Sequence, residues 1–443
     1  MGQILKPKQT VYAESSNLPC VIEADIGSGG QGEVYRARID GKPIAVKWWW
    51  PHKAKSAQRK ALETLIKKGA PSTKFLWPID LVSANGVPGF GYIMPLREPR
   101  YRSIPDWLAR RITANFRTLA IAGFQLADSF IRLHSLGLCY KDINYGNVFF
   151  DPTNGDILIC DNDNVTVDGE KGGEEPATPG FMAPEIVCGT GTLCRNTDLH
   201  SLAVLLFLLF MVNYPLQGKK EAEIKCLDDK AMNMLYGTEP VFIWHPTDRS
   251  NRPVPGYQDN AIAYWGIYPT FLRRLFTRAF TDGLFNPNKR IQESEWRGAM
   301  VALRDSIFYC SCGRMNFYDS EAIQQASGDT GFCWKCKNKL VLPPRIRISQ
   351  KGGSFNVVML NHDTQLFPHH ADRDKMWDFS KSVACVVKHP KDPKIWGLRN
   401  LTNEKWVVTL VDGTVKDVDP QHSVSLTLGA KINFGKEVGE IRL

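Results

Sequence analysis

The stretch Cys139-Tyr140-Lys141-Asp142-Ile143-Asn144-Tyr145-Gly146-Asn147-Val148-Phe149-Phe150 decides how the rest of the chain is read. An Asp and an Asn five residues apart stand between two largely apolar runs, 130–138 and 148–150. A second acidic knot, Asp161-Asn162-Asp163, follows the next apolar run, 157–159. Strand-like segments that end in carboxylates suit a site that orients a hydroxyl and holds divalent metal around a phosphate. Taken alone, the same residues make two ordinary turns, because Asp and Asn are common there. The decision rests on what flanks them.

Upstream lies Ile26-Gly27-Ser28-Gly29-Gly30-Gln31-Gly32-Glu33-Val34-Tyr35, a glycine hairpin between strand-forming residues. Glycines at 27, 29 and 32 let backbone amides approach phosphate oxygens without a side chain in the way. The pattern fits a plain hairpin as well as a phosphate cradle, and a dinucleotide fold would need a helix directly after the third glycine. Residues 33–38 alternate like a strand instead. Pro43-Ile44-Ala45-Val46-Lys47 reads as the next strand, ending in a lysine beside three tryptophans. Lys47 is either a solvated strand end or a phosphate ligand, and the preceding hairpin favours phosphate. Residues 55–68 have helical periodicity, with Ala61, Leu62, Leu65 and Ile66 on one face. Glu63 is the sole acidic residue between Lys47 and Asp80, so it is the expected ion-pair partner of Lys47.

Read in order, these segments resemble the protein kinase signature set. The resemblance continues in Thr178-Pro179-Gly180-Phe181-Met182-Ala183-Pro184-Glu185, which is similar to the end of a kinase activation segment. Asp198-Leu199-His200-Ser201-Leu202 resembles the start of the large lobe's buried central helix, and Arg290 the arginine that pairs with the Glu of Ala-Pro-Glu. The match spans roughly 18–305 and implies a two-lobed kinase domain, preceded by an arm at 1–17. It implies that Gly27, Gly29 and Gly32 cover the ATP phosphates, and that Val34, Ala45 and Met94 line the adenine pocket. Lys47, held by Glu63, would grip the nonterminal phosphates. Asp142 would orient the substrate hydroxyl and take its proton, braced by Thr178, while Asn147 and Asp161 would hold Mg²⁺.

Several positions depart from the family pattern. His-Arg-Asp is Tyr140-Lys141-Asp142, which keeps a positive charge but loses the bidentate fork of Arg. Asn144 replaces the lysine usual two residues after the Asp, which removes a cation near the transferred group. Asp-Phe-Gly is Asp161-Asn162-Asp163, which keeps the metal ligand and loses the aromatic that sets on and off states. The activation segment carries two hydroxyls, Thr166 and Thr178, beside Glu174 and Glu175, so a constitutively formed site is expected. His134 and His200 lie on apolar stretches and read as core histidines.

From residue 307 the texture changes. Cys310-Ser311-Cys312-Gly313 and Cys333-Trp334-Lys335-Cys336 are two tight pairs separated by 20 residues. Two ligands from each of two turns close a tetrahedral thiolate site, so 306–342 is expected to be a structural zinc ribbon. A redox reading would explain one pair but not both. Val341-Leu342-Pro343-Pro344 marks a boundary, after which 345–443 reads as an all-β sandwich with strands near 355–360, 383–387, 396–401, 406–410, 424–428 and 432–434. Residues 397–403 and 428–435 resemble a forkhead-associated domain. Such domains read phosphothreonine through a Gly-Arg pair and a Ser-Arg-x-His run. Here Pro368-His369-His370 stands near the first and Ser380-Lys381-Ser382-Val383 only partly echoes the second, so partner docking is the expected role. The domain order also resembles bacterial kinases encoded beside tellurite-resistance genes, which implies a type 2C phosphatase and a von Willebrand A-domain protein as partners.

Composition agrees with a soluble globular class: 443 residues, 43% hydrophobic, 23% charged, net charge +9. The longest apolar run, 202–212, is too short to span a bilayer. The N-terminus has no charged-then-apolar signal pattern, so a cytoplasmic location is expected. No basic run reaches five residues, so nucleic acid is not indicated. Under the kinase resemblance, Thr178 and Ala183-Pro184-Glu185 imply a protein substrate. The expectation is therefore an α+β chain: a serine/threonine protein kinase using ATP and Mg²⁺, followed by a Zn²⁺ ribbon and a β-sandwich. Its alternative is a nucleotide-binding pseudokinase scaffold that presents the two C-terminal modules.

Overall fold

The computed structural model describes residues 3–169, 178–349, 355–389, 391–392 and 395–443. Glu174 and Glu175 lie outside the described residues. The chain divides into two units, Met1–Trp265 with Arg274–Gly298, and Gly266–Arg273 with Ala299–Leu443.

The first unit opens with a closed barrel. Its strands are β1 (Thr10–Ala13), β2 (Pro19–Ser28), β3 (Gly32–Ile39), β4 (Lys42–Trp49), β5 (Asp80–Ser83) and β6 (Gly91–Pro95), in the order β1-β2-β3-β4-β6-β5. β1 closes the barrel by pairing Thr10 with Val21 on one side and Tyr12 with Ser83 on the other. Within the expected arm, Leu5 is fully buried and β1 is a stave of the barrel. Alternating apolar residues of β2 and β3 fill the interior, while β4 is buried on both faces from Ile44 to Trp49. Helix α1 (Ser56–Lys68) buries Leu62 and Leu65, places two lysines in its last turn, and stops at Gly69 with φ +76°. Basic residues at that end suit the helix dipole, and glycine suits the left-handed stop.

Beyond the barrel the unit is mainly helical. The helix Phe116–Ser135 starts at Asn115, whose side chain accepts from the Thr118 amide, and it buries ten residues along one face. The helix Arg195–Met211 is buried continuously from Thr197 to Met211. A helix apolar on every side can only be a core element. Around it, Phe207 packs against Phe242, Phe276 and Phe280 with ring centroids 5.7, 5.1 and 5.8 Å away. Each such buried ring stabilises the fold by roughly 2–3 kcal/mol through burial, with ring geometry adding to this. Between the two helices, the hairpin Val148–Phe150 with Ile157–Ile159 pairs Ile159 with Val148. It carries the candidate site residues at its ends.

In the second unit, Ile307–Tyr309 and Met315–Phe317 form a short hairpin that leads into the cysteine cluster. The sandwich has a six-stranded sheet, Phe355–Met359, Arg345–Ser349, Val438–Arg442, Lys431–Asn433, Trp406–Thr409 and Val415–Val418 in spatial order. Facing it is a four-stranded sheet, Gln365–Leu366, Ala384–Lys388, Trp396–Asn400 and Ser423–Ser425. Ile346, Leu366, Leu398, Trp406, Ile432 and Ile441 meet between them, nearly or wholly buried. The strands at 345–349, 365–366, 415–418 and 438–442 go beyond the sequence reading. Their outward positions carry Arg, Lys, Asp, Gln or Glu, which breaks up the apolar runs that mark a strand.

Candidate active site

A cleft of about 910 Å³ lies between the barrel and the helical part of the first unit. Gly27, Gly29 and Gly32 border it from the β2–β3 hairpin; Val34, Ala45 and Met94 line one wall; Lys47, Asp142 and Asp161 face each other across it. A Cβ at Gly27 or Gly29 would meet nothing within 4 Å, which leaves open space over the cleft. At Gly32 a Cβ would stand 2.1 Å from the Trp48 carbonyl oxygen, so the adjacent strand already forbids a side chain there. Trp50 Nε1 donates to the Gly29 carbonyl (2.9 Å) and ties the hairpin tip to the end of β4.

Asp142 sits on a loop built to hold its carboxylate still. Thr178 donates to Asp142 Oδ1 through both its hydroxyl (2.8 Å) and its amide (3.0 Å). Asn147 Nδ2 donates to the Asp142 carbonyl (3.0 Å) and to Oδ2 (3.3 Å). With Nδ2 committed to Asp142, Asn147 has its amide oxygen left to serve as an acceptor. Asn144 is buried and folds back over the loop: Nδ2 donates to the Asp142 carbonyl (3.1 Å) and Oδ1 accepts from the Gly146 amide (2.7 Å). Asn144 thus braces the loop and supplies no charge.

The loop is anchored from below by Asp198, which accepts from the Tyr140 amide (2.5 Å) and the Lys141 amide (3.0 Å). His134 Nε2 lies 3.1 Å from Asp198 Oδ2, and its Nδ1 bonds Glu293, which also pairs with Arg195 at 2.9 Å. His134 is therefore the cation of a buried ion network, a role its apolar flanks concealed. Burial opposes the imidazolium, but the bonds to Asp198 and Glu293 outweigh it and raise its pKa to about 9. Glu293 falls to about 2, burial notwithstanding, because His134 and Arg195 bond its carboxylate. His200, by contrast, is held neutral by burial and the nearby Arg290. The Glu185–Arg290 pair is bidentate, at 2.8 and 2.7 Å.

The expected pairing of Lys47 with Glu63 is corrected by the structure. Glu63 is half exposed and pairs with Arg59, one turn earlier on α1, at 3.1 Å. Lys47 Nζ instead contacts Asp163 (2.7 Å), Asp161 (3.6 Å) and Gln31 Oε1 (2.9 Å). Burial lowers the Lys47 pKa, but the two carboxylates more than compensate and keep the amine charged. Helix α1 turns Ala57, Gln58 and Ala61 toward the cleft, and the helical period then carries Glu63 outward. Asp163 and Gln31 are the contributions that the sequence reading missed.

More than half of the chain, residues 20–255, matches the family described as protein kinase domain. The chain belongs to the protein kinase family. It is 27% identical over 216 residues, 45% of its own length, to the DNA damage-responsive serine/threonine-protein kinase RqkA of Deinococcus radiodurans. It is 28% identical over 198 residues (40% of the chain) to glycogen synthase kinase 1 of Pyricularia oryzae, and 24% identical over 252 residues (54%) to protein kinase gsk31 of Schizosaccharomyces pombe. The matched regions span 30%, 50% and 63% of those three proteins. Among the described residues no helix of the kinase domain or beyond it is long and apolar enough to cross a membrane.

Outside the kinase domain, Cys310, Cys312, Cys333 and Cys336 bring their sulfurs within 4.8 Å of one another. The Cys310–Cys336 and Cys312–Cys333 sulfurs are 3.5 and 3.8 Å apart. Zinc–thiolate bonds of about 2.3 Å in a tetrahedron require sulfurs about 3.8 Å apart, so the donor set fits that ion. Burial opposes a Cys333 thiolate, yet the Cys336 and Lys335 amides and the Asn316 side chain bring its pKa down to about 6. Cys336 is pushed up to about 12: its bond from the Asn338 backbone favours the thiolate, but burial and the other three cysteines oppose it.

Proposed function

We propose that this chain is a serine/threonine protein kinase that transfers the γ-phosphate of ATP to a protein hydroxyl. The observation that carries the reading is the fixed Asp142 carboxylate, held by Thr178 and Asn147, in the same cleft as Lys47 and Asp161. Asp142 Oδ2 accepts the proton of the incoming hydroxyl and aims its oxygen, while Thr178 keeps Oδ1 occupied. The amides of the glycine hairpin and the Lys47 amine hold the phosphates of the substrate nucleotide. Asn147 and Asp161 present hard oxygen ligands suited to Mg²⁺, whose charge in this chemistry neutralises the phosphate oxygens. Val34, Ala45 and Met94 offer the apolar slot that adenine needs, and serine/threonine specificity follows the character of the relatives.

The four thiolates of 310–336 hold a structural Zn²⁺, and four sulfurs leave no position open for catalysis. The sandwich docks a protein. The order kinase, cysteine cluster, sandwich supports a type 2C phosphatase and a von Willebrand A-domain protein as the partners. A cytoplasmic location accords with free thiols kept reduced.

The test is transfer of label from γ-labelled ATP to a general protein substrate or to the chain itself, with wild type beside Asp142→Ala. Loss of the base lowers the rate by at least ~10²–10⁴-fold with nucleotide binding retained. Full activity in Asp142→Ala sinks the reading; nucleotide binding without any transfer by wild type turns it to the scaffold alternative.

A further inference from the structure

Resting on the kinase reading above, we propose that Asp163 is the residue that positions the phosphate-gripping Lys47. The carboxylate that holds this lysine comes from the metal-binding segment itself and not from helix α1.

Three observations carry this. Asp163 Oδ2 lies 2.7 Å from Lys47 Nζ, and Oδ1 accepts a hydrogen bond from the same nitrogen at 3.0 Å. Both neighbouring acids border the cleft and differ in exposure: the Asp161 side chain is 44% exposed, whereas that of Asp163 is 0% exposed. A carboxylate with no solvent-facing surface is a poor ligand for a hydrated metal and a good partner for a buried amine. Third, α1 offers no replacement. It turns Gln58 toward the cleft, with a buried Oε1 that has no hydrogen-bond partner among the described residues, and Glu63 pairs with Arg59. The titratable groups around Lys47 are Asp163, Asp161 and Cys160, with Tyr92 opposite it on β6. In consequence, Lys47 stays in place whatever α1 does. A swing of that helix cannot release the lysine, and the site stays assembled without a helix-borne switch.

The experiment compares full-length wild type, Asp163→Asn and Glu63→Gln, with kcat and KM for ATP measured separately. Melting curves confirm the fold, and Asp163→Gly serves as a second variant should Asp163→Asn not fold. Asp163→Asn lowers kcat/KM for ATP at least tenfold, and the conservative Asp163→Glu recovers part of the loss, because a carboxylate holds the buried amine. Glu63→Gln leaves kcat/KM within twofold. The inference is overturned if Glu63→Gln loses as much as Asp163→Asn, or if Asp163→Asn keeps the wild-type kcat/KM. Calorimetric binding of a non-hydrolysable ATP analogue with Mg²⁺ asks the question without turnover. Absence of transfer by wild type counts against the kinase reading, and unchanged analogue binding in Asp163→Asn against this one.

Discussion

The nucleotide cleft and the cysteine cluster both gather charge into little space, and they balance it by opposite means. In the cleft and beneath the Asp142 loop, buried charges are met by counter-charges from the protein: Lys47 by Asp163, and His134 by Asp198 and Glu293. In the cluster four cysteine sulfurs stand within 4.8 Å of one another. The first arrangement is complete within the protein. The second, on the zinc reading proposed above, is completed by an ion with two positive charges. Sites of the first kind fail gradually when disturbed, and sites of the second kind fail at once.

The sharpest way to break this contrast is to remove one thiolate. Cys333→Ser, or chelation of wild type, is expected to reduce bound zinc from about one per chain to none and to open 306–342 to proteolysis. An apparent zinc contribution of roughly 10–16 kcal/mol to such small sites means no partial fold survives. Binding of an ATP analogue in the cleft changes by less than twofold. Metal analysis and limited proteolysis check the first outcome, calorimetry the second. Wild type purified without stoichiometric metal, or with a Cys310–Cys312 disulfide, would remove the basis of the comparison.

A smaller, graded effect is expected from the His134 network. The imidazole pKa is about 9 in the fold, against 6.5 for the free side chain. Its stabilisation is thus complete below pH 6.5 and is lost as pH rises toward 9. The loss is on the order of 1–3 kcal/mol, a fall of several degrees in melting temperature. His134→Gln flattens this dependence, while also lowering stability throughout, because Asp198 loses its imidazolium partner and Glu293 keeps Arg195 alone. A melting temperature indifferent to pH between 6.5 and 9 in wild type would falsify a charged His134.

These two sites also explain what could be read from residue order. The cysteine pairs were legible because each knuckle is local: C-x-C and C-x₂-C spacing alone brings two sulfurs together. The Asp142 loop was legible for the same reason, since Asn147 reaches Asp142 across five residues. The partner of Lys47 was not, because a contact over 116 residues depends on how two elements pack. Glu63 is the nearest acid downstream in sequence, but the register of α1 turns it away. The run Asp161-Asn162-Asp163 did hold a signal, a second acid where the family has glycine. For the sandwich, apolar strands such as Trp406–Thr409 announced themselves, whereas Val415–Val418 exposes three of its four residues and did not.

The smallest expected effect is at the sandwich, where phosphothreonine should hardly bind. A doubly charged phosphate must be met by a fixed cation free to face it, and Arg does this best through two parallel hydrogen bonds. His369 and His370 are buried, and His370 Nε2 lies 3.1 Å from Asp305, so neither ring is offered to a ligand. Arg373 is already committed, pairing with Glu437 at 2.9 Å and donating to the Lys436 carbonyl. Lys436 in turn pairs with Asp372 and Asp374 at 3.4 and 2.5 Å, which places negative charge where a phosphate would have to approach. Exposed Lys381 remains as a point charge that salt screens readily. Titration of the full chain with a phosphothreonine peptide library should therefore give affinities no tighter than about millimolar, some 4 kcal/mol short of a micromolar reader. Micromolar binding that vanishes on dephosphorylation, or in Ser380→Ala, would mean that a phosphate can displace these ion pairs, and that the sandwich balances charge with a ligand as the cysteine cluster does.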